Sequence, residues 1–216
     1  MIVSMWMTRD VISIDAGESV TVAAALMGAH HIRRLPVMER RAGATHLIGI
    51  VTARDLFRAA PADVNPFGVM APDRLRSEVL VSDVMKLHPF TTTPDAPLEV
   101  PAQAMRDHKF GGVPVVDKGA LVGMITQSDI FRAFVAMLES PPGSVRITFS
   151  MAAGEDIFGL VAKLAAPRQV QVISINSVTH HDLPICVVRA TGGKLDAFLD
   201  DVWKSGHHVI NVLRTP

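Results

Sequence analysis

Two segments of the chain place a hydroxyl and a carboxylate three residues apart behind an apolar run: Gly49-Ile-Val-Thr-Ala-Arg-Asp55 and Gly123-Met-Ile-Thr-Gln-Ser-Asp129. Each continues with an aliphatic residue, Phe and Arg, so that Arg58 answers Arg132. The simplest chemistry for Thr-x-x-Asp is internal. Thr52 and Thr126 cap a helix, while Asp55 and Asp129 return a hydrogen bond from the third helical position and complement the helix dipole. That chemistry needs no ligand, but its appearance twice, with matching flanks, asks for more. No catalytic set accompanies it. Cys186 has no His partner by motif, no Ser sits in a nucleophile elbow and no phosphate-cradling Walker loop is present, so no residue is assigned a catalytic role. The histidine pairs His30-His31, His180-His181 and His207-His208 lack metal-ligand spacing and read as turns and helix ends, so no metal is expected.

The elements that carry these residues repeat as a block. Val3-Ser-Met-Trp-Met7 is answered by Val81-Ser-Asp-Val-Met85. Val20, Ala24 and Met27, one face of a helix, are answered by Leu98, Ala102 and Met105, and Leu35-Pro-Val37 by Val113-Pro-Val115. Each block reads strand (Val11 to Ile14; Phe90 to Thr93), helix, strand (Pro36 to Met38; Pro114 to Val116), strand (Leu47 to Val51; Leu121 to Ile125), helix. Asp117-Lys-Gly-Ala120 is a tight hairpin turn; Glu39 to His46 is four residues longer and is expected to be the same hairpin with a bigger loop. Met5, Met7, Met27, Met85 and Met105 are expected to fill gaps in repeat cores and dimer faces. Pro61, Pro66, Gly68 and Pro72 mark a linker. After Pro141-Pro-Gly143 the pattern changes to βαββαβ: alternating Val145, Ile147 and Phe149, a helix over Ile157 to Leu164, strands Val170 to Val178 and Leu183 to Ala190, a helix carrying Leu195, Phe198, Leu199 and Val202, and a last strand from His208 to Leu213. The fold class is thus α/β (α+β).

Composition narrows the function. The 216 residues are 49% apolar and 19% charged, enough for real cores, and Lys+Arg balance Asp+Glu at 21 each. Without a basic excess, a nucleic-acid partner is not expected. A single cysteine excludes an internal disulfide and suits a reducing compartment. The N-terminal MIVSMWMTRD is a poor signal peptide and no apolar run approaches the ~20 residues that span a bilayer, so a cytoplasmic protein without membrane contact is expected.

The duplicated strand–helix–strand–strand–helix ending in Gly-apolar-apolar-Thr-x-x-Asp resembles a tandem pair of CBS domains, on Arg33-Arg-Leu-Pro-Val37 with Gly49 to Asp55 and Gly111-Gly-Val-Pro-Val115 with Gly123 to Asp129. The last third resembles an ACT domain by element order, although Ala152-Ala-Gly-Glu155 replaces the usual Asp-x-Pro-Gly turn. The whole order is similar to bacterial proteins of the acetoin-utilisation type. The resemblance implies domains at 1–60 and 79–140, a linker at 61–78 and an ACT-like unit at 144–216. It also implies that Asp55 and Asp129 accept ribose hydroxyls, that Thr52 and Thr126 lie toward the phosphates, and that the Asp of one repeat works with the pre-Pro residues of the other. A carboxylate suits ribose because it only accepts and takes two O–H donors at once. Asp129 with Arg33 and Arg34 would then hold a charged phosphate tail. Asp55 with Gly111 and Gly112 would have room but no fixed charge. Val11, Ile12 and Leu35, and their counterparts Phe90 and Val113, would wall the base, and Pro36 and Pro114 are counted with them among the nucleotide-binding residues.

The function so implied is a non-enzymatic regulatory sensor. It binds AMP, ADP, ATP or another adenosyl compound, requires no cofactor, and signals to an unidentified target protein through the geometry of a homodimer. The alternatives are a constitutive dimerisation scaffold in which Thr-x-x-Asp is only a cap, and amino-acid sensing at the ACT-like unit near Gly154.

Overall fold

The computed structural model of the protein describes residues 1–41, 43–59, 79–152 and 154–216, which fall into two compact units, 1–133 and 134–216. The linker expected at 61–78 lies outside the described residues.

Unit one holds both repeats. The first contributes β1 (Ile14–Asp15), α1 (Val20–Ala29), β2 (Arg34–Arg41), β3 (Ala44–Thr52) and α2 (Ala53–Arg58). The second contributes α3 (Val81–Val84), β4 (Lys86–Leu87), α4 (Glu99–His108), β5 (Gly112–Asp117), β6 (Ala120–Thr126) and the start of α5 (Gln127–Leu138). Helix α1 begins where Ser19 Oγ accepts from Val22 N at 3.3 Å. Both α1 and α4 are followed by a residue at positive φ, His31 at 52° and Lys109 at 59°, which turns the chain back toward the next strand. The β5–β6 turn is the tight hairpin expected, with Lys118 and Gly119 both at positive φ. Its counterpart corrects the sequence reading. Arg41 pairs with Ala44, so the extra residues of the first repeat lengthen both strands rather than enlarge the loop.

The first strand of each repeat also differs from expectation. Only Ile14 and Asp15 pair with β2, and in place of a strand over Phe90 to Thr93 there is a single bridge, Thr92 to Val115. Pro89 and Pro94 each lack the N–H that a ladder needs, and Val11, Ile12, Pro89 and Phe90 turn instead to wall cavities.

The opening segment of each repeat packs in the core of the other. Val3 and Met7 join Leu98, Met105, Val113, Val115, Ile125 and Ala133, while Val81 joins Ile14, Ala23, Met27, Leu35, Val37 and Val51, with Val84 and Met85 packed against them. β4, from the second repeat, is the edge strand of the first repeat's sheet, ordered β1-β2-β3-β4, and Thr8 bridges to Met124 of β6 in the reciprocal position. The two motif glycines make this crossing possible. A Cβ on Gly49 would stand 2.7 Å from Met85 Sδ and 3.0 Å from Lys86 O; on Gly123 it would stand 2.6 Å from Met7 Sδ and 3.0 Å from Thr8 O.

Unit two has β7 (Val145–Ser150), α6 (Ile157–Ala165), β8 (Gln171–His180), β9 (Leu183–Thr191), α7 (Leu195–Lys204) and β10 (Val209–Arg214), the βαββαβ order read from the sequence. The sheet is antiparallel in the order β10-β7-β9-β8. Val145, Ile147 and Phe149 alternate inward and meet Ile157, Val161, Phe198, Leu199 and Val202 from the helices. The β8–β9 turn is tighter than the sequence suggests, with His181 and Asp182 at φ 48° and 62°.

Candidate functional site

Both Thr-x-x-Asp segments form the cap that their spacing predicts. In the first, Thr52 N and Thr52 Oγ1 donate to Asp55 Oδ2 at 2.9 and 2.5 Å, and Asp55 N donates to Thr52 Oγ1 at 3.3 Å. In the second the same three contacts measure 2.8, 2.7 and 3.4 Å. One carboxylate oxygen of each aspartate is therefore committed to its own helix. The other oxygens differ. Arg132 donates to Asp129 Oδ1, and that residue is only 6% exposed. Asp55 is half-buried, and Oδ1 has no partner among the described residues.

Each aspartate borders a cavity that it shares with the opposite repeat. Cleft one, about 470 Å³, is lined by Thr126, Ser128 and Asp129 of the second repeat and by Asp10, Val11, Ile12, His31, Arg33, Arg34 and Pro36 of the first. Cleft two, about 490 Å³, is lined by Thr52, Arg54, Asp55 and Arg58 of the first repeat and by Lys86, His88, Pro89, Phe90, His108, Lys109 and Gly112 of the second. Both are within the size range of small-molecule sites. Strand alternation explains which expected residues fall elsewhere: Arg34 and Pro36 reach cleft one, whereas Leu35 is fully buried in the core on the other face of β2. Val113 is likewise a core residue, and Pro114 lines neither cleft.

Arg34 belongs to both clefts. Its side chain occupies the space that side chains at 111 and 112 would fill. A Cβ on Gly112 would lie 2.7 Å from Arg34 Nη1 and 2.9 Å from its Cδ, and one on Gly111 would lie 2.5 Å from Nη2. Burial pulls the guanidinium below its ordinary value, repulsion from Arg33 adds to this, and Asp129 opposes both.

The expectation that the Asp55 cleft lacks fixed charge is wrong. Arg34, Arg54, Arg58, Lys86 and Lys109 line it against Asp55, the single carboxylate among the described lining residues, with His88 and His108 alongside. Sequence reasoning missed these residues because Arg54 occupies a free position of Thr-x-x-Asp, and because Lys86 and His88 arrive on the exchanged segment. Aligning the repeats offered one available signal, since Lys109 answers His31. Away from the clefts, Cys186 is buried and its thiol is pushed up by burial, which leaves it inert. Among the described residues no three His, Cys, Asp or Glu side chains converge as a metal would need, and no helix is long and apolar enough to cross a membrane.

The sequence profile of the CBS domain matches residues 3–62 and 81–136. The chain belongs to the CBS-domain family. It is 34% identical over 145 residues to a CBS domain-containing protein of Dictyostelium discoideum, covering 66% of this chain and 97% of that one. Similar solved structures include a Vibrio cholerae protein assigned to acetoin utilization, 30% identical with TM-score 0.52, matching 65% of this chain and 98% of the other. CBSX2 in complex with AMP is 26% identical with TM-score 0.52, over 64% and 98% of the two chains. The CBS domain pair of protein MJ0100, in complex with 5′-methylthioadenosine and S-adenosyl-L-methionine, is 25% identical with TM-score 0.51, over 63% and 97%. Relatives named as enzymes match over a small part of their length; the chain spans 22% of an inosine-5′-monophosphate dehydrogenase of Korarchaeum cryptofilum.

Proposed function

We propose that the protein is a regulatory sensor whose two clefts take adenosine-containing ligands, with the geometry of a homodimer as its output. One observation carries this reading: each cleft brings the Thr-x-x-Asp of one repeat to the residues preceding the Pro-Val strand of the other. Similar CBS pairs in complex with AMP, and with 5′-methylthioadenosine and S-adenosyl-L-methionine, support adenosyl compounds as the ligand class. Val11, Ile12 and Pro36 in cleft one, and Phe90 in cleft two, offer apolar surface to a base. An adenosyl ligand moves the protein only if its affinity differs between two arrangements.

The dimer is supported by an apolar groove between α1 and α2, lined by Val20, Ala24, Met27, Leu56 and Phe57, and by Phe131 on α5, which is 66% exposed. We propose domain boundaries of 1–60 and 79–140 for the CBS pair, and an ACT-like unit at 144–216. The sheet order of unit two supports that assignment, and open space at Gly154, with φ +86°, leaves amino-acid sensing there as the lesser role. The rival reading is a scaffold, favoured by the completed caps: Asp129 already spends both oxygens inside its own helix.

Thermal unfolding of wild type, Asp129→Ala and Asp55→Ala with AMP, ATP, S-adenosylmethionine and NAD separates the two. A ligand at ~100 times its Kd adds about 2.7 kcal/mol, roughly 5–10 °C for a chain of this size. A wild-type shift abolished by at least one Asp→Ala change supports the sensor. No shift with any ligand, in protein free of carried-over nucleotide, leaves the scaffold.

A further inference from the structure

The clefts are related by the internal repeat, so most lining positions in one have a counterpart in the other. Asp10 in cleft one stands where His88 stands in cleft two, Ser128 where Arg54 stands, His31 where Lys109 stands, and Thr8 where Lys86 stands. Only Arg33 and Arg34, answered by Gly111 and Gly112, run the other way, and Arg34 reaches both cavities. Cleft one is lined by the carboxylates of Asp10 and Asp129 as well as by Arg33 and the shared Arg34, and Asp129 is already paired with Arg132. Among the described residues of cleft two, four permanent cations besides the shared Arg34 face one carboxylate, and none of these cations forms an ion pair with a described residue. Arg58 shows the contrast most directly, because its counterpart Arg132 is tied to Asp129. Cations gathered around one cavity repel each other, and an anion that enters it relieves that repulsion.

We infer that cleft two is a polyphosphate site: it takes the di- or triphosphate of a nucleotide, whereas cleft one takes an adenosyl ligand whose tail carries little net negative charge. This rests on the reading of both clefts as adenosine-ligand sites. Among the described residues, the four cations that line cleft two alone, Arg54, Arg58, Lys86 and Lys109, exceed Asp55 by three, and the shared Arg34 adds to them, which suits the three to four negative charges of a fully ionised nucleoside di- or triphosphate. In cleft one the same tail meets the Asp10 carboxylate. Arg54, Arg58, Lys86 and Lys109 are all exposed, so they reach a ligand without first being pulled from the core.

The test is calorimetric titration of the full chain with ATP, 5′-methylthioadenosine and inorganic tripolyphosphate. Wild type is compared with the double variant Arg54→Gln/Lys109→Gln and with Asp10→Asn. The double variant should weaken ATP at least about tenfold and leave 5′-methylthioadenosine unchanged. Without ligand it should unfold no earlier than wild type, because like charges have been removed. Asp10→Asn should leave ATP affinity unchanged. ATP affinity that survives the double variant, or that responds to Asp10→Asn instead, overturns the assignment while leaving the adenosine reading intact. If tripolyphosphate binds wild type but not the double variant, and neither adenosine compound binds, the polyphosphate site stands and the adenosine reading falls.

Discussion

Where the first cleft has Asp10 the second has His88, and where the first has Ser128 the second has Arg54; yet Thr126–Asp129 and Thr52–Asp55 make the same three hydrogen bonds to within about 0.2 Å. The backbone of one cleft is thus repeated in the other with a different electrostatic lining. Residues the fold cannot do without are shared: the motif glycines beneath an exchanged methionine, the capping threonines, and the aspartates at helix starts. Residues that only line the cavity have diverged. A duplicated site of this kind keeps its architecture while the charge of its lining diverges.

The sharpest way to break the comparison is to block the crossings. Val at Gly49 or at Gly123 would press against Met85 and the Lys86 carbonyl, or against Met7 and the Thr8 carbonyl. Each should cost about 3 kcal/mol in a denaturant midpoint. Gly49→Val should also weaken whatever binds cleft two, and Gly123→Val whatever binds cleft one; a cost below about 0.5 kcal/mol for both would refute the crossing. Restoring symmetry with Gly112→Arg should cost about 2 kcal/mol through overpacking against Arg34. Displacement of that guanidinium should then lower ligand affinity in cleft one, as read by calorimetry.

Thr52→Ala and Thr126→Ala should each cost about 1 kcal/mol with or without ligand. The loss at Thr126 should be the larger, because Asp129 is buried and Asp55 only half-buried. Equal losses would mean that burial of the second carboxylate has no energetic weight. The smallest effect is ionic. Raising salt from about 0.1 to about 0.5 M should weaken the cleft-two ligand by a larger factor than the cleft-one ligand, because the screening length between exposed charges falls from about 10 Å to about 4 Å over that range.

The sequence made the repeats, the tight β5–β6 hairpin, both caps and the βαββαβ order of unit two legible, because each rests on local periodicity or on a turn residue with few alternatives. Partnership was not legible. Met7 and Met85 are equally apolar whichever core they enter, so no pattern along the chain reveals that each serves the other repeat. The charge of cleft two was hidden for the same reason. Lys86 and His88 reach it on the crossing segment, and Arg54 sits where the motif tolerates any residue. The missing first strands show local preference giving way to position: Val11, Ile12 and Phe90 have strand-forming side chains, but their place is at a cavity wall.

The crossed opening segments also set the size of the module. A fragment ending at residue 59 would carry Val3 and Met7 with no core to receive them, and would lack the Val81 that completes its own. The remainder of unit one would have the converse defect. Either half could close only by borrowing from a second polypeptide, so a split at the repeat boundary would yield exchange-prone halves rather than two small folded proteins. For grafting into another protein, the smallest transferable piece is the pair.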